Sequence, residues 1–358
     1  MIKLSGIILC LLLSFSMVSH AVDHRHQKII NYAVTKAFGI NKPDSVEVLK
    51  GGRSQAKLYK LLINNKYYVV RFINGGLKER EKEIKCMTIA AKAGIAPYVY
   101  YANTSDGVIV MDFIKNKQLT KTELSNPKII IKLATLLRAI HDAPSFGKAK
   151  SSNISDVLRQ SEGKWEWRQE ASLIREGKKK LNSIKAIESL ISKNEIKRSC
   201  HNDLNSKNVL YDGKRFWVID WEYASYGDPF LDVATASNFW IFNHSLEELY
   251  LHTYFNKAPS AEELAHYFVM KQVSRYVYGI VLMKRAKNLG AKPLSQNEVD
   301  KIDLQCVYEQ IRAGQLKLNN PNHLEIFGAA LLKEGLINME TDVFKRSLSA
   351  LQNSKNPP

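Results

Sequence analysis

Cysteine is scarce and unpaired: Cys10, Cys86, Cys200 and Cys306 lie far apart, with no C-x-x-C step among them. That spacing excludes a disulfide framework and the usual zinc-ligand patterns, and leaves buried free thiols as the expectation. Acidic residues are also short, 35 against 52 Lys and Arg, giving a formal net charge of +17. Such a surplus suits nucleic acid, an anionic membrane face or polyphosphate substrates. No aromatic-basic module of the familiar nucleic-acid readers is present, however, and the cations are spread along the chain among Glu residues. Even the densest run, Lys178-Lys179-Lys180, falls in an amphipathic stretch. A generally basic surface and no nucleic-acid partner are therefore expected. There is no internal repeat, and beyond residue 21 no apolar run is long enough to cross a membrane.

What is present is a soluble globular composition, 45% hydrophobic and 24% charged, over 358 residues. That length suits one two-lobed enzyme or two ordinary domains. The first 21 residues have the layout of a secretory signal: Met1-Ile2-Lys3, an apolar run from Ile7 to Val18, then Ser19-His20-Ala21 with cleavage expected after Ala21. An uncleaved anchor or a wrongly assigned start is the alternative, and membrane contact is expected only through this segment. The oligomeric state does not follow from the sequence.

A helical pattern covers about Gln27 to Phe38. Ser45–Lys50 reads as a strand, Gly51-Gly52-Arg53-Ser54-Gln55 as a turn, and Lys57–Ile63 as a second strand. Asn64-Asn65-Lys66 is a hairpin turn before a third strand, Tyr67–Ile73. Leu77–Ala93 has helical periodicity and is stopped by Gly94-Ile95-Ala96-Pro97; strands are expected near Tyr98–Ala102 and Gly107–Phe113. From Thr120 the pattern is mostly helical. Pro127–His141 carries apolar residues at helical spacing, and a polar stretch with the Trp165-Glu166-Trp167 cluster follows. Asn208–Tyr211 and Phe216–Ile219 form a short hairpin around Asp212-Gly213, and the chain from Asp232 onward reads as helices with a frayed tail. The class is α+β, with a small β-rich lobe followed by a larger helical one.

The segment His201-Asn202-Asp203-Leu204-Asn205-Ser206-Lys207-Asn208 places an Asp and an Asn five apart in a loop, and the hairpin after it ends in Asp220. Phosphoryl transfer needs this set: one carboxylate to orient the attacking hydroxyl and take its proton, and a second carboxylate with a carboxamide to hold magnesium. An oxygen-only ligand set suits a hard cation. Asp203 is the expected base, Asn208 and Asp220 the expected metal ligands, and His201 the residue orienting the loop backbone. A lone Asp in a turn is ordinarily a cap. The full H-x-D-x-x-x-x-N pattern with hydrophobic-Ile-Asp a dozen residues later is much harder to reach by chance.

Val218-Ile219-Asp220-Trp221-Glu222-Tyr223-Ala224, followed by Gly227-Asp228-Pro229, resembles the choline/ethanolamine kinase family within the aminoglycoside phosphotransferase superfamily. About sixty residues separate His141 from His201, which is similar to the helical insertion of those small-molecule kinases. The resemblance covers roughly residues 45 to 290. It implies a two-lobed protein-kinase-like fold, with an N-lobe over residues 22–114, a C-lobe over 115–290 and a helical extension over 291–358. It also implies ATP and Mg2+ as cofactors, and hence access to cytoplasmic ATP, which sits awkwardly beside an export signal. Gly51, Gly52, Ser54 and Gln55 resemble the phosphate loop, with Gln where the family usually has Asn. Arg71 sits where protein kinases carry a phosphate-binding Lys, and its fork suits phosphate oxygens. Its helix partner is Glu83, or alternatively Glu79. Met111, Asp112 and Phe113 form the expected adenine hinge.

For the acceptor, the resemblance implies a small amino-alcohol, choline or ethanolamine. A cationic alcohol wants aromatic faces and a carboxylate near Asp203. The candidates are Glu222, Tyr223, Tyr226, Trp240, Tyr276 and Tyr278. Choline kinases of eukaryotes carry a Glu-Trp pair where this chain has Asn238-Phe239-Trp240, so thiamine, another cationic alcohol, stays open. An aminoglycoside is a third possibility, although no acidic acceptor cleft is obvious from the sequence. A non-catalytic nucleotide-binding pseudokinase is the reading from another class, opposed by the intact Asp203, Asn208 and Asp220.

Overall fold

A computed structural model describes residues 22–49, 57–147, 172–192 and 196–353. The leader-like segment 1–21, the Gly51, Gly52, Ser54 and Gln55 turn and the Trp165-Glu166-Trp167 cluster lie outside those residues. The N-lobe opens with helix α1 (His24–Phe38), which begins a turn earlier than its apolar pattern because Asp23 caps the backbone N–H groups of Arg25 and His26. Five antiparallel strands follow: β1 (Ser45–Val48), β2 (Lys57–Ile63), β3 (Lys66–Phe72), β4 (Val99–Asn103) and β5 (Val108–Asp112), in the order β1-β2-β3-β5-β4. The β2–β3 turn is Asn64-Asn65, both at positive φ (48° and 62°), the handedness a two-residue hairpin requires.

Strand alternation divides this sheet's two faces. Val70 and Val110 point outward, where Ile30, Ala33 and Val34 of α1 cover them. Val69 and Ile73 point inward to the main core with Met111, Cys86 and Met87. Arg71, between Val69 and Ile73, shares their inward face and is buried beside α2 (Leu77–Lys92).

The C-lobe is helical around two short ribbons. Its elements are α3 (Lys121–Leu124), α4 (Pro127–His141), α5 (Ser172–Ser192), β6 (Arg198–Cys200), β7 (Val209–Tyr211), β8 (Phe216–Val218) and β9 (Ser225–Gly227). Then come α6 (Phe230–Trp240), α7 (His244–Phe255), α8 (Ala261–Asn288), α9 (Gln296–Lys301), α10 (Leu304–Arg312), α11 (Pro321–Met339) and α12 (Asp342–Asn353). Every residue of α6 is buried. Helix α8 packs on α11 at Gly279, where a Cβ would fall 2.7 Å from the Cβ of Leu332 and 2.9 Å from the carbonyl oxygen of Gly328. Among the described residues no helix is long and apolar enough to cross a membrane.

Two expectations need correction here. Of the described thiols Cys86 and Cys200 are buried, but Cys306 is exposed, because α10 turns Leu304, Val307 and Tyr308 inward instead. The three-residue strands β6 and β9 were not anticipated, since three residues carry no alternation to read.

Candidate active site

The two ribbons explain why Asp203 and Asp220, far apart in the hairpin sequence, share one cleft. β6 pairs with β9 and β7 pairs with β8. The loop from β6 to β7 and the loop from β8 to β9 are therefore tied together at both ends. A further bond, from the Ile219 N–H to the Asn208 carbonyl (2.9 Å), sets Asn208 beside Asp220.

Asp232, on α6, fixes the first of these loops. Its two carboxylate oxygens accept the backbone N–H groups of His201 and Asn202, each at 2.6 Å, and His141 lies against it. Asn202 sits at φ 67°, and its side-chain amide donates to the Tyr223 carbonyl and the Ser225 hydroxyl, both 3.0 Å, tying the loops side to side. His201 is buried. Its Nε2 faces the Ile219 carbonyl at 3.0 Å and its Nδ1 the Asp203 N–H at 3.2 Å. A carbonyl only accepts and an amide N–H only donates, so Nε2 carries the proton and both ring nitrogens are spent on backbone. His201 orients the loop.

Asp203 is held by three neutral donors. Oδ1 accepts from Asn205 Nδ2 (2.8 Å) and the Tyr278 hydroxyl (2.7 Å), and Oδ2 accepts from Asn208 Nδ2 (2.7 Å). Burial pushes its pKa up, while the bonds from Tyr278 and Asn205 pull against it. Asn208 Nδ2 also donates to the Asp203 carbonyl at 2.8 Å. With the nitrogen so committed, Oδ1 of Asn208 is the atom left for a cation, and the carboxylate of Asp220 is its neighbour. This oxygen pair fits Mg2+.

Arg71 forms the other half of the cleft. One Nη2 meets Glu83 and Asp220, each at 2.7 Å. Burial alone would depress the guanidinium pKa, but the charges of Glu83 and Asp220 outweigh it and raise it. Nε of Arg71 is buried without a hydrogen-bond partner among the described residues. An orphaned cationic donor in a cleft fits an incoming phosphate oxygen. Glu83 is therefore the partner; Glu79 lies exposed in the first turn of α2. Glu222, at the solvent edge of the cleft, is pushed up to about 7, by partial burial first and then by the charges of Asp220 and Glu83. Burial likewise raises the Tyr223 phenol.

The remaining candidates are dispersed. Met111 is buried in the core; Asp112 gives its N–H to the Tyr98 carbonyl (3.0 Å) and its carboxylate to Lys66 and Tyr100; Phe113 lies edge-on to Tyr67. Any base-edge contact from this hinge thus falls to the Asp112 carbonyl and the backbone beyond it. Of the acceptor aromatics, Tyr278 hydrogen-bonds Asp203. Tyr276 turns its hydroxyl to the Gly177 carbonyl (2.8 Å), because residues two apart on a helix lie about 200° apart. Trp240 packs on Phe216 of β8, while its neighbour Phe239 meets Tyr278 (5.1 Å) and so lies closer to the base. Tyr226 is exposed on β9. Sequence reasoning missed Asn205, Asn202 and Phe239. It also missed the role of Asp232, whose signal was its position as the single charge in an otherwise uncharged helix.

A family model described as "Phosphotransferase enzyme family" matches residues 45–266. The chain belongs to that family. It is thus a phosphotransferase with a protein-kinase-like fold, as the motifs implied. It is 25% identical over 189 residues to the protein LicA of Haemophilus influenzae, a match spanning 52% of this chain and 69% of that one. Among solved structures, a choline/ethanolamine kinase family protein of Mesorhizobium loti superposes with a TM-score of 0.58 at 18% identity, covering 86% of this chain and 92% of that one. The choline kinase LicA of Streptococcus pneumoniae gives 0.55 at 21% identity, with 86% and 99% covered. At these identities the structural likeness speaks for the fold.

Proposed function

We propose that this phosphotransferase moves the γ-phosphoryl group of ATP, with Mg2+, to the hydroxyl of a small cationic alcohol, choline or ethanolamine. The observation that carries the acceptor class is the charge of the cleft. Glu83, Asp203 and Asp220 gather there around the guanidinium of Arg71, with Glu222, pushed up to about 7, at the edge, in a chain whose net charge is +17. A local reversal of sign favours a cation beside the base. The acidic cleft that the sequence did not reveal is assembled from separate segments of the fold, and it suits a cationic acceptor of either kind, amino-alcohol or aminoglycoside. The sequence likeness, 26% over 209 residues, to a protein of Arabidopsis thaliana described as a probable choline kinase points to the amino-alcohol.

In the reaction, Asp203 orients the acceptor hydroxyl and takes its proton as the oxygen attacks the γ-phosphorus and ADP leaves. Asn208 and Asp220 would hold Mg2+, whose positive charge supports the phosphate oxygens. Arg71 supplies a fixed cation to the same oxygens, and Glu83 keeps its stem oriented. Glu222 and Tyr223 face the acceptor's ammonium. The test is a phosphorylation panel with choline, ethanolamine, thiamine and kanamycin, run on protein lacking residues 1–21. Choline or ethanolamine should give the highest kcat/KM. A clear preference for thiamine or kanamycin would replace the acceptor, and ATP binding without stimulation by any alcohol would remove the enzymatic reading altogether.

A further inference from the structure

We propose that Tyr278 is the positioning residue of the base: its hydroxyl holds the Asp203 carboxylate at the height and angle that acceptor attack requires. The inference rests on the assignment of Asp203 as base and adds the element that sets its geometry.

Three observations carry it. The Tyr278 hydroxyl donates to Oδ1 of Asp203 at 2.7 Å, although the two residues are 75 apart in the chain. Because Asn205 also donates to Oδ1 and Asn208 to Oδ2, the carboxylate cannot rotate without losing bonds on both oxygens. Asn205 and Asn208 belong to the catalytic loop itself, so of these three donors only Tyr278 refers the base to a separate, rigid element.

Helix α8, which carries Tyr278, is pinned in its turn. Gly279 admits it against α11 so closely that no Cβ fits at that position. On its other side a polar seam locks it to α6: Thr235 with Ser274 (3.0 Å), Arg275 Nε to Asn238 Oδ1 (3.1 Å), and Asn238 Nδ2 to the Lys271 carbonyl (3.2 Å). Lys271, Arg275 and Tyr278 follow at the i, i+4, i+7 spacing of one helix face. The Tyr278 ring is held edge-on by Phe239, also of α6 (5.1 Å, 82°). The same α6 carries Asp232, which fixes the loop backbone at His201 and Asn202. The α6–α8 pair therefore holds the catalytic loop twice, by its main chain through Asp232 and by its reacting carboxylate through Tyr278. Such a shell keeps the base within the few tenths of an ångström that proximity demands.

Tyr278→Phe removes one hydroxyl and keeps the ring. It should lower kcat by roughly ten- to a hundredfold, the worth of a hydrogen bond to a charged group, while KM for the acceptor and affinity for Mg·ATP stay at parental values. In an Asp203→Asn background the same substitution should have no further effect on the residual rate. Tyr278→His, which returns a donor, should recover part of the loss. The split is read in parallel on the slow hydrolysis of ATP by water, so a wrong choice of alcohol fails the panel above while leaving this test intact. Parental kcat in Tyr278→Phe would overturn the proposal. So would a loss confined to acceptor KM, a loss of Mg·ATP binding, or an equal loss in the Asp203→Asn background.

Discussion

The two halves of the cleft hold their charges by opposite means. On the nucleotide side, Arg71, Glu83 and Asp220 are ions countering ions at 2.7 Å. On the acceptor side, one ion, Asp203, is held by the neutral donors Asn205, Asn208 and Tyr278. The difference fits what each half would do in the proposed reaction. A counter-charge on Asp203 would lower its basicity, and neutral dipoles fix a carboxylate without neutralising it. The phosphate side needs the reverse: a cation that never gives up its charge, kept aimed by acids. Charge substitutions should therefore damage the first half through stability and binding, and the second through rate.

The largest effect should come from Asp203→Asn, which keeps the shape and removes the base. Steady-state kinetics should show kcat lower by roughly 10²–10⁴-fold, with Mg·ATP affinity retained in calorimetry. Arg71→Met should be next. It leaves buried Glu83 and half-buried Asp220 without their cation, and urea unfolding should register a loss of about 3–5 kcal/mol together with weakened ATP binding. Unchanged stability would mean that the ion pairs are as expendable as surface ones. Asn205→Ala, which leaves Tyr278 on the same oxygen, should cut kcat roughly tenfold without moving the melting temperature, and a stability loss as large as that of Arg71→Met would erase the contrast between the halves.

The smallest effect lies behind the nucleotide half. His26 bonds Tyr59 (2.6 Å) and stacks on Phe72 of the strand that carries Arg71. Burial, then the charge of Lys57, lowers its pKa from the usual 6.5. A depressed histidine stabilises the fold while it stays neutral, so its contribution is complete above about pH 6.5 and is lost as pH falls through its folded-state value. The parent should lose slightly more melting temperature than His26→Gln between pH 7.5 and pH 5, and parallel curves would assign the loss elsewhere.

Much of this arrangement was legible before the fold was known. β2 alternates cleanly and was bounded to the residue; β3, rich in β-branched and aromatic residues, was bounded to within one, and helical spacing bounded α4 to the residue. Asp203, Asn208 and Asp220 were readable because their spacing within and beyond one loop is itself the constraint. The acceptor side was not, since it is built by residues 203, 239 and 278, brought together by helix packing that leaves no local period. Tyr276 and Tyr278, both acceptor candidates, part for the same reason: two apart on one helix, they send their hydroxyls to Gly177 and to Asp203.

Arg71 joins Glu83, on the helix of one lobe, to Asp220, on a loop of the other. The tie between the lobes is thus part of the fold itself. In the proposed reaction an arriving phosphate meets a guanidinium that Glu83 and Asp220 already aim and whose Nε is still open, so the energy of ordering Arg71 is settled when the chain folds.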